Sequence, residues 1–135
     1  VAERITHKAL LARLEAQGVK KSGDYAFRCV VCNTVQSMRS LKLAGCPDEH
    51  LEGCIGFSCV GRWTNAGPWT LGSLQVGCDW TIGGLFGALG RGIIVEFEGS
   101  DCARFDVATP EEAQELERRG GEPFRAADKS EADHG

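Results

Sequence analysis

Several functions are excluded by what this 135-residue chain lacks. No apolar run approaches the roughly 18 residues a membrane-spanning helix needs, so no membrane partner is expected. No basic stretch followed by an apolar one opens the chain, so a secretory signal is expected to be absent or already removed. There is no G-x-S-x-G elbow, no P-loop, no G-x-G-x-x-G and no H-x-E with a following P-C-x-x-C. Histidine is scarce: the three residues at positions 7, 50 and 134 leave few candidates for a general base. An overall basic excess is missing too, with 15 Lys and Arg against 19 Asp and Glu and a net charge of −4. That balance lacks the footprint of a nonspecific nucleic-acid binder, although residues 1–30 carry a local net of +3 and residues 71–135 a net of −7.

What is present is glycine and cysteine on an ordinary globular background of 42% hydrophobic and 25% charged residues. Thirteen of the 18 glycines fall between positions 45 and 99, which disfavours helix there and predicts short strands, turns and loops. Helices are expected at the two ends. Thr6 caps an amphipathic run over 7–17 that stops at Gly18. Thr109-Pro110-Glu111-Glu112 opens a second run ending near Arg119 and Gly120-Gly121. Between them, residues 25–30 read as a strand, 34–44 as a short helix, and 55–60 and 80–86 as strands. Residues 93–97 and 103–107 read as a hairpin around positions 99–101. Glu111, Glu112, Glu115 and Glu117 offer an acidic helix face, more simply read as solvated. The Gly-rich segment 83–92 reads as a core turn rather than a phosphate cradle or a membrane-active peptide.

Seven cysteines in 135 residues is about 5%, below the ~8–10% of short disulfide scaffolds, and the odd count leaves a thiol unpaired. Cys29-Val30-Val31-Cys32 is the most chemically specific motif. Two thiolates so spaced can bind one metal ion across a tight turn, and Asn33 tolerates the left-handed conformation that such a turn ends on. A thioredoxin-like dithiol would need a βαβ setting that is missing here. A metal site in a reducing compartment, hence a cytoplasmic location, is the better reading. A closed zinc site needs two further ligands. Cys46 and His50 give C-x2-C-x13-C-x3-H, close to compact fingers, with Cys54 on the same face if 47–53 is helical; Cys59 and Cys78 give C-x2-C-x26-C-x18-C. Spacing alone slightly favours the first set. A catalytic zinc held by three cysteines with Asp79 or Glu52 nearby is the less favoured reading, because four thiols suit a closed site. Cys102 is expected to be a small buried hydrophobe.

The stretches FRCVVCNTVQS, IGFSCVGRWTNAGP and GCDWTIGGLF resemble a small family of uncharacterised proteins from bacteriophages and proteobacteria, over about residues 25–117. That resemblance implies Cys29, Cys32, Cys59 and Cys78 as the ligands, a zinc-ribbon-like core and a phage or prophage setting, without an activity. The expectation is therefore an α+β domain over 1–121: a small Gly-rich antiparallel sheet organised by structural Zn²⁺ and flanked by N- and C-terminal helices. Residues 122–135 are expected to form a disordered acidic tail. The function expected is a non-enzymatic zinc-binding adaptor with a protein partner, a host protein if the chain is phage-encoded. The alternative is a zinc-ribbon nucleic-acid binder using Lys20, Lys21, Arg62 and Trp63, with basic side chains for phosphate and an aromatic ring for stacking.

Overall fold

The Thr6 hydroxyl accepts the Ala9 N–H at 3.1 Å and starts helix α1, His7–Glu15, which buries Leu10 and Leu14 on one face. Gly18, at φ +78°, turns the chain away. This is a computed structural model, and it describes residues 3–82 and 91–126. Strand β1, Glu3–Thr6, precedes α1 and has no local signature, because it forms only by pairing with a segment some ninety residues away.

Among the described residues, seven strands form two small sheets. β2 is Ala26–Arg28, β3 Thr34–Ser37, β4 Ile93–Phe97, β5 Ser100–Arg104, β6 Asp106–Val107 and β7 Phe124–Arg125. One sheet has the order β1-β4-β5, with β1 parallel to β4 and the β4–β5 hairpin antiparallel. Glu98 and Gly99 turn that hairpin with φ of +51° and +79°, the conformation tight two-residue hairpin turns demand. The other sheet, β6-β2-β3-β7, is antiparallel throughout. The expected second hairpin strand over 103–107 is thus divided between the two sheets. Fully buried Phe105 lies at the division, and its N–H donates to the Gly56 carbonyl at 2.6 Å.

The architecture is α+β, with five helices among the described residues: α1, α2 Met38–Ala44, α3 Leu51–Cys54, α4 Gly61–Thr64 and α5 Pro110–Arg118. The helix expected over 34–44 begins only at Met38. Buried Thr34 and Val35 suit a strand, and Ser37 ends it by forming a capping box with Ser40. α5 starts as its sequence predicts, with a Thr109–Glu112 capping box and Pro110 in the first turn. It packs Ala113 and Leu116 against Ala26, Val35, Ala108 and Ala126. Buried Gln17 ties α1 to this sheet: its amide donates to the carbonyls of Ala26 (2.8 Å) and Ala108 (3.0 Å) and accepts from Ala26 N–H.

The strands expected over 55–60 and 80–86 reduce to a single bridge between Ser58 and Thr81, and 83–86 lie outside the described residues, as does the Gly-rich run up to 90. The segment expected as a tail from 122 contributes β7, whose Phe124 pairs with Val35. The apolar ring and its place beside β3 outweigh the polar composition around it; residues 127–135 lie outside the described ones. Among the described residues no helix is long and apolar enough to cross a membrane.

Candidate metal centre

Cys29 directly follows β2 and Thr34 begins β3, so the C-x-x-C motif is the turn of a hairpin. Cys29 N–H donates to the Thr34 carbonyl and Asn33 N–H to the Cys29 carbonyl, both at 3.0 Å, and Asn33 sits at φ +60°. Val31 N–H points at Cys29 Sγ from 3.5 Å. This tight turn puts both sulfurs on one side, toward Cys59 and Cys78.

The second pair arrives by a non-local route. Cys59 N–H donates to the Trp80 carbonyl and Ile82 N–H to the Phe57 carbonyl, both at 2.9 Å, which lays the 57–59 segment beside 80–82. Gly61 is required here: a Cβ on it would lie 2.3 Å from the Cys78 nitrogen. The four sulfurs of Cys29, Cys32, Cys59 and Cys78 consequently lie within 4.8 Å of one another, all buried. Cys29 Sγ is 3.7 Å from Cys78 Sγ, and Cys32 Sγ is 3.6 Å from Cys59 Sγ. Those separations are far beyond a disulfide bond of about 2.05 Å.

Polar groups converge on the sulfurs. Cys59 Sγ accepts from Gln36 Nε2 at 3.4 Å and from Cys78 N–H at 3.3 Å. Hydrogen bonds from the Cys29, Cys32 and Cys78 thiols, joined by the Gly61 N–H, hold the Cys59 thiol well below the ordinary cysteine range. Cys29 is driven the other way, first by its hydrogen bond with Cys32 and then by those with Cys59 and Cys78. Four sulfurs this close cannot all ionise unaided, and Cys32 and Cys59 are favoured in the charged form over Cys29. A cation among them would let all four ionise. The donor set is entirely sulfur, N–H groups are aimed at it, and among the described residues no carboxylate or imidazole shares the group: the residues fit a closed metal site.

Gln36 and Thr34 are the residues that the sequence did not disclose. Gln36 is fully buried, and besides reaching Cys59 it accepts the Val60 N–H at 2.8 Å. Thr34 Oγ1 accepts the Gly77 N–H at 2.7 Å and the Cys32 thiol at 3.1 Å. Each links the C-x-x-C hairpin to one of the distant cysteines. Their only sequence signal is position, on the strand leaving the motif.

The competing ligands are elsewhere. Cys46 is buried with its thiol toward the Pro47 carbonyl, Cys54 is half-buried, and His50 is exposed with its ring stacked 6.5 Å from Trp63. Asp79 and Glu52 are exposed and outside the sulfur group. Cys102 corrects its expectation, being exposed because β5 is an edge strand. Lys20 and Lys21 line a small depression with Asp24, Arg39, Glu117 and Arg118; Arg62 and Trp63, on α4, are not among its walls. Trp63 packs against the core, and Arg62 donates to the Asp79 carbonyl at 3.1 Å. The α5 acidic face is largely spent within the chain. Glu112 caps Thr109, Glu115 pairs with Arg118 and Arg119, and Glu117 accepts the Lys20 N–H.

Fold and cluster together define an α+β protein with a buried four-cysteine site of the metal-binding kind. The chain belongs to the VVA0879-like family, an uncharacterised one, whose profile matches residues 6–108. All four cysteines lie within the match. No curated protein and no solved structure matches the chain.

Proposed function

We propose that the chain is a non-enzymatic, zinc-stabilised interaction module. The observation that carries this reading is the closed sulfur set: four buried cysteines satisfy a tetrahedral ion and leave no open position for water or substrate. Zinc is the ion we favour. A Zn–S bond of about 2.3 Å puts tetrahedral sulfurs about 3.8 Å apart, close to the 3.6 and 3.7 Å separations found. Thiolate sites of this kind belong to a reducing compartment, which favours the cytoplasm.

The partner surface we favour is the loop leading into Cys78. Leu71 is 95% exposed and Leu74 73%, with Val76 and Trp80 also open to solvent. The loop is nonetheless well ordered by its own bonds. Gln75 Nε2 donates to the carbonyls of Ala66, Gly67 and Gly77, and Trp69 Nε1 to that of Ser73. An organised loop that shows leucines to water is what protein partners bind. In a phage or prophage setting the partner is a host protein. Proximity cross-linking in producing cells tests this, comparing the wild type with a Leu71→Asp, Leu74→Asp variant of unchanged metal content. A specific protein captured by the wild type and lost from the variant is expected. Identical captures, or copurifying nucleic acid in place of protein, would overturn it.

A further inference from the structure

A second feature is lined by residues outside the cluster that α5 packs into. Between α1, β2, β4 and the end of α3 is a cavity of about 430 Å³, within the roughly 300–1,000 Å³ range of small-molecule pockets. Leu10, Leu14, Phe27, Met38, Ile55 and Val95 make its wall apolar. The tests below turn on two charged residues and a thiol that also line it: Arg104, Glu52 and Cys102.

The two charges are not equivalent. Glu52 is exposed, so water screens it. Arg104 is half-buried, with its guanidinium 5.4 Å from the centre of the Phe57 ring and one N–H donated to the Ala103 carbonyl at 2.9 Å. Among the described residues it pairs with no carboxylate, as Arg62 and Arg91 do not, whereas Arg4, Arg13, Arg28, Arg39, Arg118 and Arg119 do. Arg104 lines the apolar chamber, and a half-buried guanidinium within reach of such a wall can recognise an anion attached to an apolar body.

We propose that this cavity binds a fatty-acid-type ligand, with its unbranched chain against the leucine and phenylalanine wall and its carboxylate on Arg104. Met38 suits such a role, because its unbranched thioether adapts to a flexible chain. The cavity shares no lining residue with the sulfur group, although both draw on the same hydrophobic cluster, so the test keeps the chain metal-loaded.

The test is calorimetric titration of the full metal-loaded chain with dodecanoate, dodecanol and dodecylamine, alongside alkylation of Cys102. Dodecanoate is expected to bind more tightly than either analogue and to slow Cys102 alkylation. Arg104→Gln is expected to weaken dodecanoate about tenfold while leaving dodecanol unchanged. Arg104→Lys retains the preference, and Glu52→Gln tightens binding. Equal binding of dodecanoate and dodecanol by the wild type would overturn the assignment, and that comparison needs no variant. So would a preference for dodecylamine, or a Cys102 rate that no ligand changes.

Discussion

Gln36 shows how one side chain can couple two halves of a site. Its amide donates to Cys59 Sγ and accepts from the Val60 N–H, so it braces both that sulfur and the path of the backbone carrying it. Gln36→Leu removes both bonds and leaves the Val60 N–H buried without a partner. Metal affinity is expected to fall about 10- to 100-fold, read by competition with a chromophoric chelator. The other thiols behave differently. Burial first, then the neighbouring Cys54, pushes the Cys46 thiol up to about 11. At pH 8 it is therefore protonated, and its alkylation rate should rise with each pH unit until about 11. In the metal-loaded protein, mass spectrometry should find exposed Cys102 alkylated first, Cys46 slowly, and the four clustered cysteines only after chelation. The residues that supply the sulfurs were partly legible beforehand, since C-x-x-C followed by Asn announces its own turn. Cys59 and Cys78 were not: nothing local distinguishes them from Cys46 and His50, and spacing leaned toward the latter pair. Only the long-range pairing of 57–59 with 80–82 decides which sulfurs meet, and resemblance, not spacing, had pointed to it.

At the scale of elements, legibility follows locality. α1 and α5 were readable because Thr6, Thr109 and Pro110 act on the turn directly beside them. Thr109→Ala breaks the capping box and is expected to cost about 1 kcal/mol, measured by urea denaturation of the metal-loaded chain. β1 and β7 were unreadable for the opposite reason. Each is short, and each exists because a distant strand, β4 or β3, offers an open edge. Residues 34–37 illustrate a direct conflict, in which apolar spacing suggested helix while pairing with Ala26, Phe27 and Arg28 imposed strand. The strand has a consequence for the site, because it aims both Thr34 and Gln36 into the region where the two cysteine pairs meet.

Across the whole molecule, the four cysteines are members of the larger hydrophobic cluster, packed with Leu10, Phe27, Ile82 and Phe105. The sulfur group is therefore part of the core, so an ion bound there would couple its binding to folding. This suits a chain whose middle is rich in glycine and poor in bulky side chains. The exposed loop of Leu71 and Leu74 is anchored at Cys78, so the proposed partner surface depends on the same ion. The central claim is that Cys29, Cys32, Cys59 and Cys78 hold one zinc. Elemental analysis of the purified wild type and of Cys59→Ser, Cys78→Ser, Cys46→Ser and His50→Ala tests it most directly. The account predicts one zinc per chain in the wild type, lost in the first two variants and kept in the last two. Zinc lost from Cys46→Ser and His50→Ala but kept by the other two, or no zinc in the wild type, would contradict it.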